Sequence, residues 1–264
     1  MPTPPILSNK HYMEPSVFTA ENLLREARRQ KSLARAHVPR ICVLDPDGDI
    51  VRWLVSAQRA ERHPQWACYH TDLFTFSQDD AQVGIVGCAV GASFAVLIAE
   101  ELFASGCELL ISVTSAGQIF GSKDPPYFVL IEKALRDEGT SYHYLPPADF
   151  STIAPGLLAT LDGMFSHTPV PVYRGATWTT DAPFRETASA VAHCRNLEIM
   201  AVEMEAAALY AFAEARQKSV VCLAHVTNRM ACIEGDFEKG IAGGSQDALR
   251  VVARVARAWM SHLR

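Results

Sequence analysis

The stretch QVGIVGCAVGASFAVLIAEELFASGCELLISVTSAG, residues 82–117, decides the fold of this chain. Its first part predicts a buried strand that ends in a glycine-containing turn. The next part is rich in Ala, Leu and Glu and ends at Gly106, which predicts a helix. ELLISVTSAG then predicts a second buried strand that runs into a loop of small residues. Apolar strands that alternate with a helix in this way are typical of a sheet covered on both faces.

The same alternation extends in both directions from this stretch. Further strands are predicted at 40–45, 67–76, 170–180 and 219–228, and helices at 48–58, from about Pro183, at 205–216 and at 245–263. The segment 128–135 is compatible with either a strand or a helix. We therefore predict an α/β fold, a single-domain three-layer sandwich whose twisted, mixed and largely parallel sheet is flanked by helices.

The first 40 residues precede this pattern and are interpreted as an N-terminal extension, with the α/β domain spanning residues 41–264. Thr19 is a good N-cap for a helix over residues 21–36. Four arginines lie on that helix, and they indicate either an anionic partner or a solvated helix face. The solvated face is the more common explanation of such a pattern.

Composition excludes several classes of protein. The chain has 264 residues, of which 49% are hydrophobic, and a net charge of -5, which argues against a nucleic-acid binder that depends on a basic surface. No apolar run approaches the roughly 20 residues that span a bilayer. The seven cysteines are scattered without a CxxC pair. We expect a cytoplasmic protein that has reduced thiols and no membrane or nucleic-acid partner.

Ligands of open α/β sheets bind beyond the carboxyl ends of the strands. Four loops lie at such positions and collect polar residues beside apolar runs: SVTSAG (112–117), WTTDAPFRE (178–186), VEMEA (202–206) and HVTNRM (225–230). The sequence therefore predicts a binding site built from these loops.

Several of these segments resemble one enzyme family. AVEMEAAALYAFA (201–213) resembles the Glu-Met-Glu signature of the hexameric nucleoside phosphorylases. Residues 89–117 resemble the glycine-rich turn, helix and ligand loop of the same family, and LRDEGTSYHYLPP (135–147) and HVTNR (225–229) are similar to uridine phosphorylases. The resemblance runs in order from about Ile41 to the C-terminus. It implies cleavage of the N-ribosyl bond of a nucleoside by a homo-oligomer, a dimer to a hexamer, without a metal or organic cofactor.

The resemblance assigns the ribose to the Glu-Met-Glu segment. Glu205 would bind the 2′- and 3′-hydroxyls, with Met204 against the sugar. Glu203 would be a second contact or a support for Glu205. Carboxylates suit this role because positive charge develops on the ribose as the bond breaks. The alternative is that both glutamates merely begin a helix, where negative charge is favourable.

The base site resembles that of uridine phosphorylases. Purine-specific members carry an aspartate where this chain has Asn228, whose amide transfers no proton at neutral pH. Arg229 would meet a pyrimidine carbonyl, and Arg185 matches a second base-binding arginine, although Pro183 replaces a glutamine that recognises uracil. Both arginines can alternatively pair with surface carboxylates. From the strand that precedes Arg185, the substrate-binding candidates are Trp178, which either stacks on the base or fills the core, and Thr179.

The phosphate site departs from the family. The ligand loop is retained as Thr114, Ser115 and Gly117, which are also candidates for contact with the substrate. The three arginines that hold phosphate in the family align with Gly48, Thr71 and Ser112, although Arg52 or Arg59 can substitute for the first two. Inorganic phosphate, a possible co-substrate, is then bound by a different set such as Ser112, Ser115 and Arg52, or water is the nucleophile.

Three hypotheses follow. The first is a pyrimidine nucleoside phosphorylase with a rebuilt phosphate site, which the length of the resemblance favours. The second is a hydrolytic nucleosidase on the same scaffold. The third is a nucleoside-binding protein without turnover. In an oligomer, the segment that contains Lys10, His11 and Tyr12 is a candidate to complete a neighbouring site, with a disordered tail as the alternative.

Overall fold

The computed structural model describes residues 4–79, 81–121, 123–230 and 234–262. Within these ranges the helices are α1 Ala20–Lys31, α2 Asp49–Ser56, α3 Ala92–Ala104, α4 Pro155–Thr160, α5 Ala188–Asn196, α6 Ala206–Arg216 and α7 Ser245–His262. The strands are β1 Ile41–Asp45, β2 Ala60–Arg62, β3 Leu73–Gln78, β4 Ala81–Gly87, β5 Leu109–Gln118, β6 Tyr127–Asp137, β7 Phe150–Thr152, β8 Val172–Thr180, β9 Ala201–Glu203 and β10 Ser219–Asn228.

All ten strands belong to one mixed sheet. Its order is β10-β6-β8-β9-β5-β1-β4-β3-β2, with β7 beside β6 and an additional pairing of β10 with β5. The additional pairing closes β5, β10, β6, β8 and β9 into a ring. β1 runs parallel to both β4 and β5, and β5 runs parallel to β10. The carboxyl ends of these four strands therefore meet at one edge of the sheet.

Helices cover the sheet, as the sequence predicts. α3 packs against α6 and α1, whereas α2 packs against α7, which also contacts α4. The central strands β1 and β5 are almost entirely buried, which explains their continuous apolar sequences. The α/β single-domain fold predicted from the alternation is thus confirmed. None of the helices in the described ranges is both long and apolar enough to cross a membrane.

Several predicted boundaries change. Thr19 caps α1 as expected, but that helix ends at Lys31, where Ser32 adopts a left-handed conformation. The ambiguous segment 128–135 is part of strand β6. The helix predicted from Pro183 begins as a short 3-10 turn, and α5 itself starts at Ala188, capped by Thr187. The predicted strand 67–76 begins only at Leu73. Strands β2 and β7 and helix α4 are too short for the sequence pattern to predict.

Tyr210 fixes α6 to the sheet beneath it. Its hydroxyl donates to the carbonyl of Ile131 in β6 at 2.6 Å and accepts from the backbone N–H of Cys222 in β10 at 3.1 Å. The side chain is fully buried. One hydroxyl thus joins the helix to two strands, and the N-terminus of that helix carries the Glu-Met-Glu segment.

Replacing Tyr210 with Phe should lower the free energy of unfolding by about 1–3 kcal/mol, because a buried N–H and a buried carbonyl lose their partner. Urea denaturation measures this change. Tyr69→Phe is the matched control, since the Tyr69 hydroxyl bonds the Gln30 side chain at the surface, and its effect should stay within about 0.5 kcal/mol. Equal effects of the two substitutions would contradict the role of Tyr210.

Candidate active site

Three of the four polar loops predicted to bind a ligand, 112–117, 202–206 and 225–230, converge at one edge of the sheet. Asp45 and Gly87 are paired at the carboxyl ends of β1 and β4. In β5 and β10, Ser115 pairs with His225 and Gly117 with Asn228. The β9–α6 junction joins this edge because the N–H of Gly91, just after β4, donates to Glu205 at 2.7 Å.

Glu203 is the most heavily bonded side chain at this edge. One carboxylate oxygen accepts from the hydroxyls of Thr177 at 3.1 Å and Thr179 at 2.5 Å. The other accepts from the backbone N–H groups of Glu205 and Ala206, each at 2.7 Å. Burial raises the pKa of Glu203, and these hydrogen bonds act in the opposite direction. Of the two roles predicted for Glu203, this geometry favours support over substrate contact.

Glu205 is held immediately before the first turn of α6. One carboxylate oxygen accepts the Gly91 N–H, and the other lies 3.3 Å from the N–H of Met204. Glu205 is 1% exposed, whereas Met204 and Gly91 are partly exposed. Burial, and then the negative charge of Glu203, raise the pKa of Glu205 to about 8. A positive charge that develops nearby would favour its ionised form, which suits contact with a reacting ribose.

A carboxylate occupies the mouth of the ligand loop. Asp47, in the turn after β1, accepts the backbone N–H of Ser115 at 2.9 Å. Its side chain is about one-third exposed, and its charge contributes to the raised pKa of Glu205. The loop donor that an anionic ligand would use is therefore already bonded to a carboxylate of the protein.

Two further aspartates make this region strongly acidic. Asp45 accepts the Val51 N–H at 2.9 Å, and burial raises its pKa to about 7. Asp49 pairs with Lys239 at 2.5 Å and with Arg52 at 2.7 Å. Lys239 also lies 3.7 Å from Asp47. The two basic groups at this site are thus both engaged by carboxylates.

The predicted phosphate residues do not form one anion site. Ser112 lies within β5, opposite Leu44 and Cys222, and its buried hydroxyl has no hydrogen-bond partner among the described residues. Arg52 does approach Gly48, where the family's first arginine aligns, because a Cβ on that glycine would lie 2.7 Å from its guanidinium. It also donates to the Asp47 carbonyl at 2.6 Å. The other candidate, Arg59, stacks on Trp53.

Within the ligand loop, Thr114 lies near Glu205 and Gly117 lies near Asn228. Thr114 is close enough to Glu205 to lower the pKa of that carboxyl by hydrogen bonding. Gly117 lies beside Asn228, whose carbonyl oxygen would be 3.3 Å from a Cβ at this position. The structure therefore brings Glu205, predicted to bind the ribose, and Asn228, predicted to face the base, to the same loop.

The two arginines predicted to bind the base, Arg185 and Arg229, are both exposed. Arg229 forms an ion pair with Asp124, and its backbone N–H donates to Asp236 at 2.8 Å. Arg185 is exposed beside Phe184 and forms no ion pair within the described ranges. The carboxylate alternative therefore describes Arg229. Asn228 is buried and donates to the Thr227 hydroxyl at 3.1 Å.

Trp178 and Thr179 have structural partners. Trp178 packs with Ile119 and Ile199 in a small apolar cluster and donates to Asp137 at 2.9 Å. The core alternative therefore describes it better than stacking on a base. The Thr179 hydroxyl donates to Glu203 and accepts the Ala207 N–H at 2.9 Å. This hydroxyl thus donates and accepts within the protein, and the predicted contact of Thr179 with the substrate stays a prediction.

The N-terminal segment packs on its own chain. Lys10 lies 2.8 Å from the ring of His143, and the Tyr12 hydroxyl lies 3.4 Å from the carbonyl of Tyr142. This geometry departs from the disordered tail that the sequence left open. A contribution of this segment to a neighbouring site stays a prediction.

Sequence reasoning missed Asp47 and Lys239. The signal for Asp47 was present, because VLDPDGD (43–49) places carboxylates at every second position directly after a buried strand. Lys239 had no comparable signal, since it is separated by 190 residues from the aspartate it contacts.

Comparisons with known proteins identify the family. A family model described as the phosphorylase superfamily matches residues 40–258. A curated relative, the uncharacterized protein R802 of Acanthamoeba polyphaga mimivirus, is 31% identical over 146 residues, which are 55% of this chain and 56% of that protein. This chain thus spans little more than half the length of that relative.

Solved structures of three enzymes share the fold. Uridine phosphorylase from Vibrio fischeri ES114, complexed with 6-hydroxy-1-naphthoic acid, has a TM-score of 0.70 at 19% identity over 89% of this chain and 99% of that one. Purine nucleoside phosphorylase from Toxoplasma gondii, in complex with immucillin-H, gives 0.69 at 13% identity over 87% and 96%. AMP nucleosidase from Bacteroides thetaiotaomicron VPI-5482 gives 0.68 at 17% identity over 91% and 99%.

The raised pKa of Glu205 predicts a pH dependence of stability. Between the ordinary pKa near 4.5 and about 8, the folded protein retains a proton that the unfolded chain releases. Stability therefore falls as the pH rises through this window, by at most about 1.4 kcal/mol per pH unit for one group. Glu205→Gln should flatten the decline, measured by urea denaturation from pH 5 to pH 8. The exposed control Glu61→Gln should leave the slope unchanged, and parallel curves for Glu205→Gln would refute the assignment.

Proposed function

This chain belongs to the phosphorylase superfamily, and we propose that it cleaves the N-ribosyl bond of a nucleoside with water as the nucleophile. The observation that carries this proposal is the bond from the Ser115 N–H to the Asp47 carboxylate at 2.9 Å. A phosphate ion bound at this loop is stabilised by free backbone N–H donors and by positive charge. Here the donor is occupied, and three aspartates surround the loop.

Electrostatics favour water over phosphate at this position. Asp47 and Asp49 already balance the charges of Arg52 and Lys239, Asp45 adds negative charge as the pH rises through its pKa of about 7, and both bases are engaged by Asp49. Each charge-assisted hydrogen bond that phosphate would lose is worth roughly 1.5–3 kcal/mol. The loss of two would weaken phosphate binding by about two to four powers of ten. Water, which is neutral, avoids this repulsion.

Asp47 is well placed to activate that water. One carboxylate oxygen holds the Ser115 N–H, and the partly exposed group can accept a hydrogen bond from a water molecule. As the bond between C1′ and the base nitrogen breaks, its electron pair goes to the base. The water oxygen forms the new bond to C1′ and passes its proton to Asp47, and this proton leaves with the base or to solvent. The positive charge that develops on the ribose favours the ionised form of Glu205, which releases its proton to solvent and stabilises that charge during this step.

A pyrimidine is the favoured leaving base. Asn228 lies beside Gly117 at the ligand loop, and its amide can hydrogen-bond a carbonyl oxygen or ring N–H. It cannot protonate a purine ring as a carboxylic acid does. A pyrimidine that leaves with its negative charge on two carbonyl oxygens needs hydrogen bonds more than a proton. Arg229 can contribute one if it leaves Asp124.

Base release from uridine and inosine, measured with and without phosphate, tests this function. We expect release from uridine at the same rate in both conditions, with free ribose as the product. Phosphate-dependent release with ribose 1-phosphate would overturn hydrolysis and support phosphorolysis, the other reaction that the sequence predicts, with Arg52 as the remaining phosphate ligand near Gly48. The absence of release from every nucleoside tested would instead support a binding protein.

The role of Asp47 can be tested separately. Asp47→Ser should lower phosphate-independent release by about 10²- to 10⁴-fold, the usual contribution of a general base. It should also allow phosphate to accelerate release, because the Ser115 N–H is freed and a negative charge is removed. Asp47→Asn is the matched control, since its amide still fills the space and can still accept that N–H. It should lose hydrolysis without gaining a response to phosphate, and unchanged hydrolysis in both variants would refute the role.

A further inference from the structure

A small cavity lies beside the ligand loop, with Asp47 and His225 in its wall. It has a volume of about 20 Å³ and is also lined by Asp45, Thr114 and Ser115. About 10–15 Å³ is enough to hold one water molecule, so the cavity has room for one and little more. A cavity with several polar partners holds such a water, whereas an apolar cavity stays dry.

His225 is a residue of this wall that no step of the proposed reaction uses. Its side chain is 6% exposed and stacks on Phe128, with the ring centres 4.4 Å apart and the ring planes 10° apart. Gly244 packs closely against the ring, because a Cβ on that glycine would collide with it. The ring is thus held in place, yet it forms no hydrogen bond or ion pair among the residues that the structure describes. A buried polar group without a partner is costly, so this imidazole calls for a ligand in the cavity.

The imidazole of His225 is neutral near neutral pH. Burial, and then the positive charge of Lys239, lower the pKa of His225 to about 4. The nearby aspartates, Asp47, Asp49 and Asp247, act in the opposite direction. A neutral imidazole has one ring nitrogen that accepts a hydrogen bond, whereas a protonated imidazole has none. His225 can therefore accept a hydrogen bond from a water molecule in the cavity.

The two acceptors suit a water molecule that reacts. Asp47 and His225 line the same cavity, so one water can donate one hydrogen to each of them. With both hydrogens held, the lone pairs of the water oxygen point away from these two residues. Thr114 also lines the cavity, and it is close enough to Glu205 to hydrogen-bond that carboxyl. The cavity thus extends from Asp47, the proposed proton acceptor, to the neighbourhood of Glu205, which is proposed to face the ribose.

We infer that this cavity holds the nucleophilic water and that His225 is a further catalytic residue, which accepts one hydrogen bond from that water while Asp47 accepts the other. This inference rests on the proposed hydrolysis and adds the means by which the water is oriented. As the water oxygen forms its bond to C1′, the hydrogen held by Asp47 moves to that carboxylate as a proton. The hydrogen held by His225 stays on the oxygen and becomes that of the new hydroxyl of the ribose. The bond from C1′ to the base breaks, and its electron pair goes to the base.

Methanol as a competing nucleophile tests this site. Methanol has one hydroxyl hydrogen, and its methyl group needs more space than a cavity of about 20 Å³ offers. In a mixture of water and methanol, the wild-type chain should convert uridine to free ribose and no methyl riboside, as measured by mass spectrometry. His225→Ala should form methyl riboside, because the truncation opens space beside Asp47. Methyl riboside from the wild-type chain, or free ribose alone from His225→Ala, would overturn the inference.

A matched pair of substitutions tests the hydrogen bond itself. His225→Gln and His225→Leu both remove the stack on Phe128, but only the Gln carbonyl can accept a hydrogen bond from water. We expect kcat for uridine hydrolysis to be about tenfold lower in His225→Leu than in His225→Gln, as the loss of one hydrogen bond predicts. The KM values should be alike. His262→Leu, an exposed change at the far end of α7, should retain the wild-type kcat. Equal kcat in the Leu and Gln variants would overturn the role of His225 and leave hydrolysis itself standing.

A crystal structure of the full chain tests the water without turnover. We expect an ordered water within about 3.2 Å of both Asp47 and His225. A dry cavity in a chain that hydrolyses uridine would overturn this inference alone. Release of base that requires phosphate would instead overturn the proposed function, and with it the assignment of this water as the nucleophile.

Discussion

The rest of the site depends on the four hydrogen bonds that Glu203 accepts. Two come from threonine hydroxyls on β8, and two come from the backbone where β9 turns into α6. Because Glu203 is the last residue of β9, these bonds fix the direction in which α6 leaves the sheet. Glu205 owes its position to this turn. The bond from Gly91 to Glu205 then ties the start of α3 to the start of α6.

This arrangement concentrates buried acids at one edge of the sheet. Asp45, Glu203 and Glu205 are all nearly inaccessible, and burial raises the pKa of each. Their burial opposes folding as the pH rises through the raised pKa values, because ionised carboxylates lose their hydration there, and the backbone donors around them offset part of this cost. Apolar residues of similar size at these three positions would often give a more stable protein. A cluster of buried carboxyls is therefore poorly explained by stability alone. The stability lost here is consistent with a site selected for reactivity.

Much of the fold was predictable because strand and helix differ in local pattern. The stretch 82–117 encodes β4, α3 and β5 in that order, and Thr19 encodes the start of α1. Short elements such as β7 escaped prediction because three residues carry no period. At the site, the Glu-Met-Glu segment was found from the sequence, but the choice between the two roles predicted for Glu203 was left open. That choice depends on Thr177 and Thr179, whose inward direction follows from how β8 pairs with β9.

The Asp47 carboxylate at the ligand loop has a consequence for the direction of metabolism. Phosphorolysis conserves the energy of the glycosidic bond in ribose 1-phosphate, so an enzyme that uses phosphate can also build nucleosides from bases. Under the hydrolysis that we propose, no ribose 1-phosphate is formed, and the Ser115 N–H that is bonded to Asp47 would not be free to bind that sugar phosphate for the reverse reaction. Cleavage would then run in one direction only, and the same enzyme could not rebuild the nucleoside from its base.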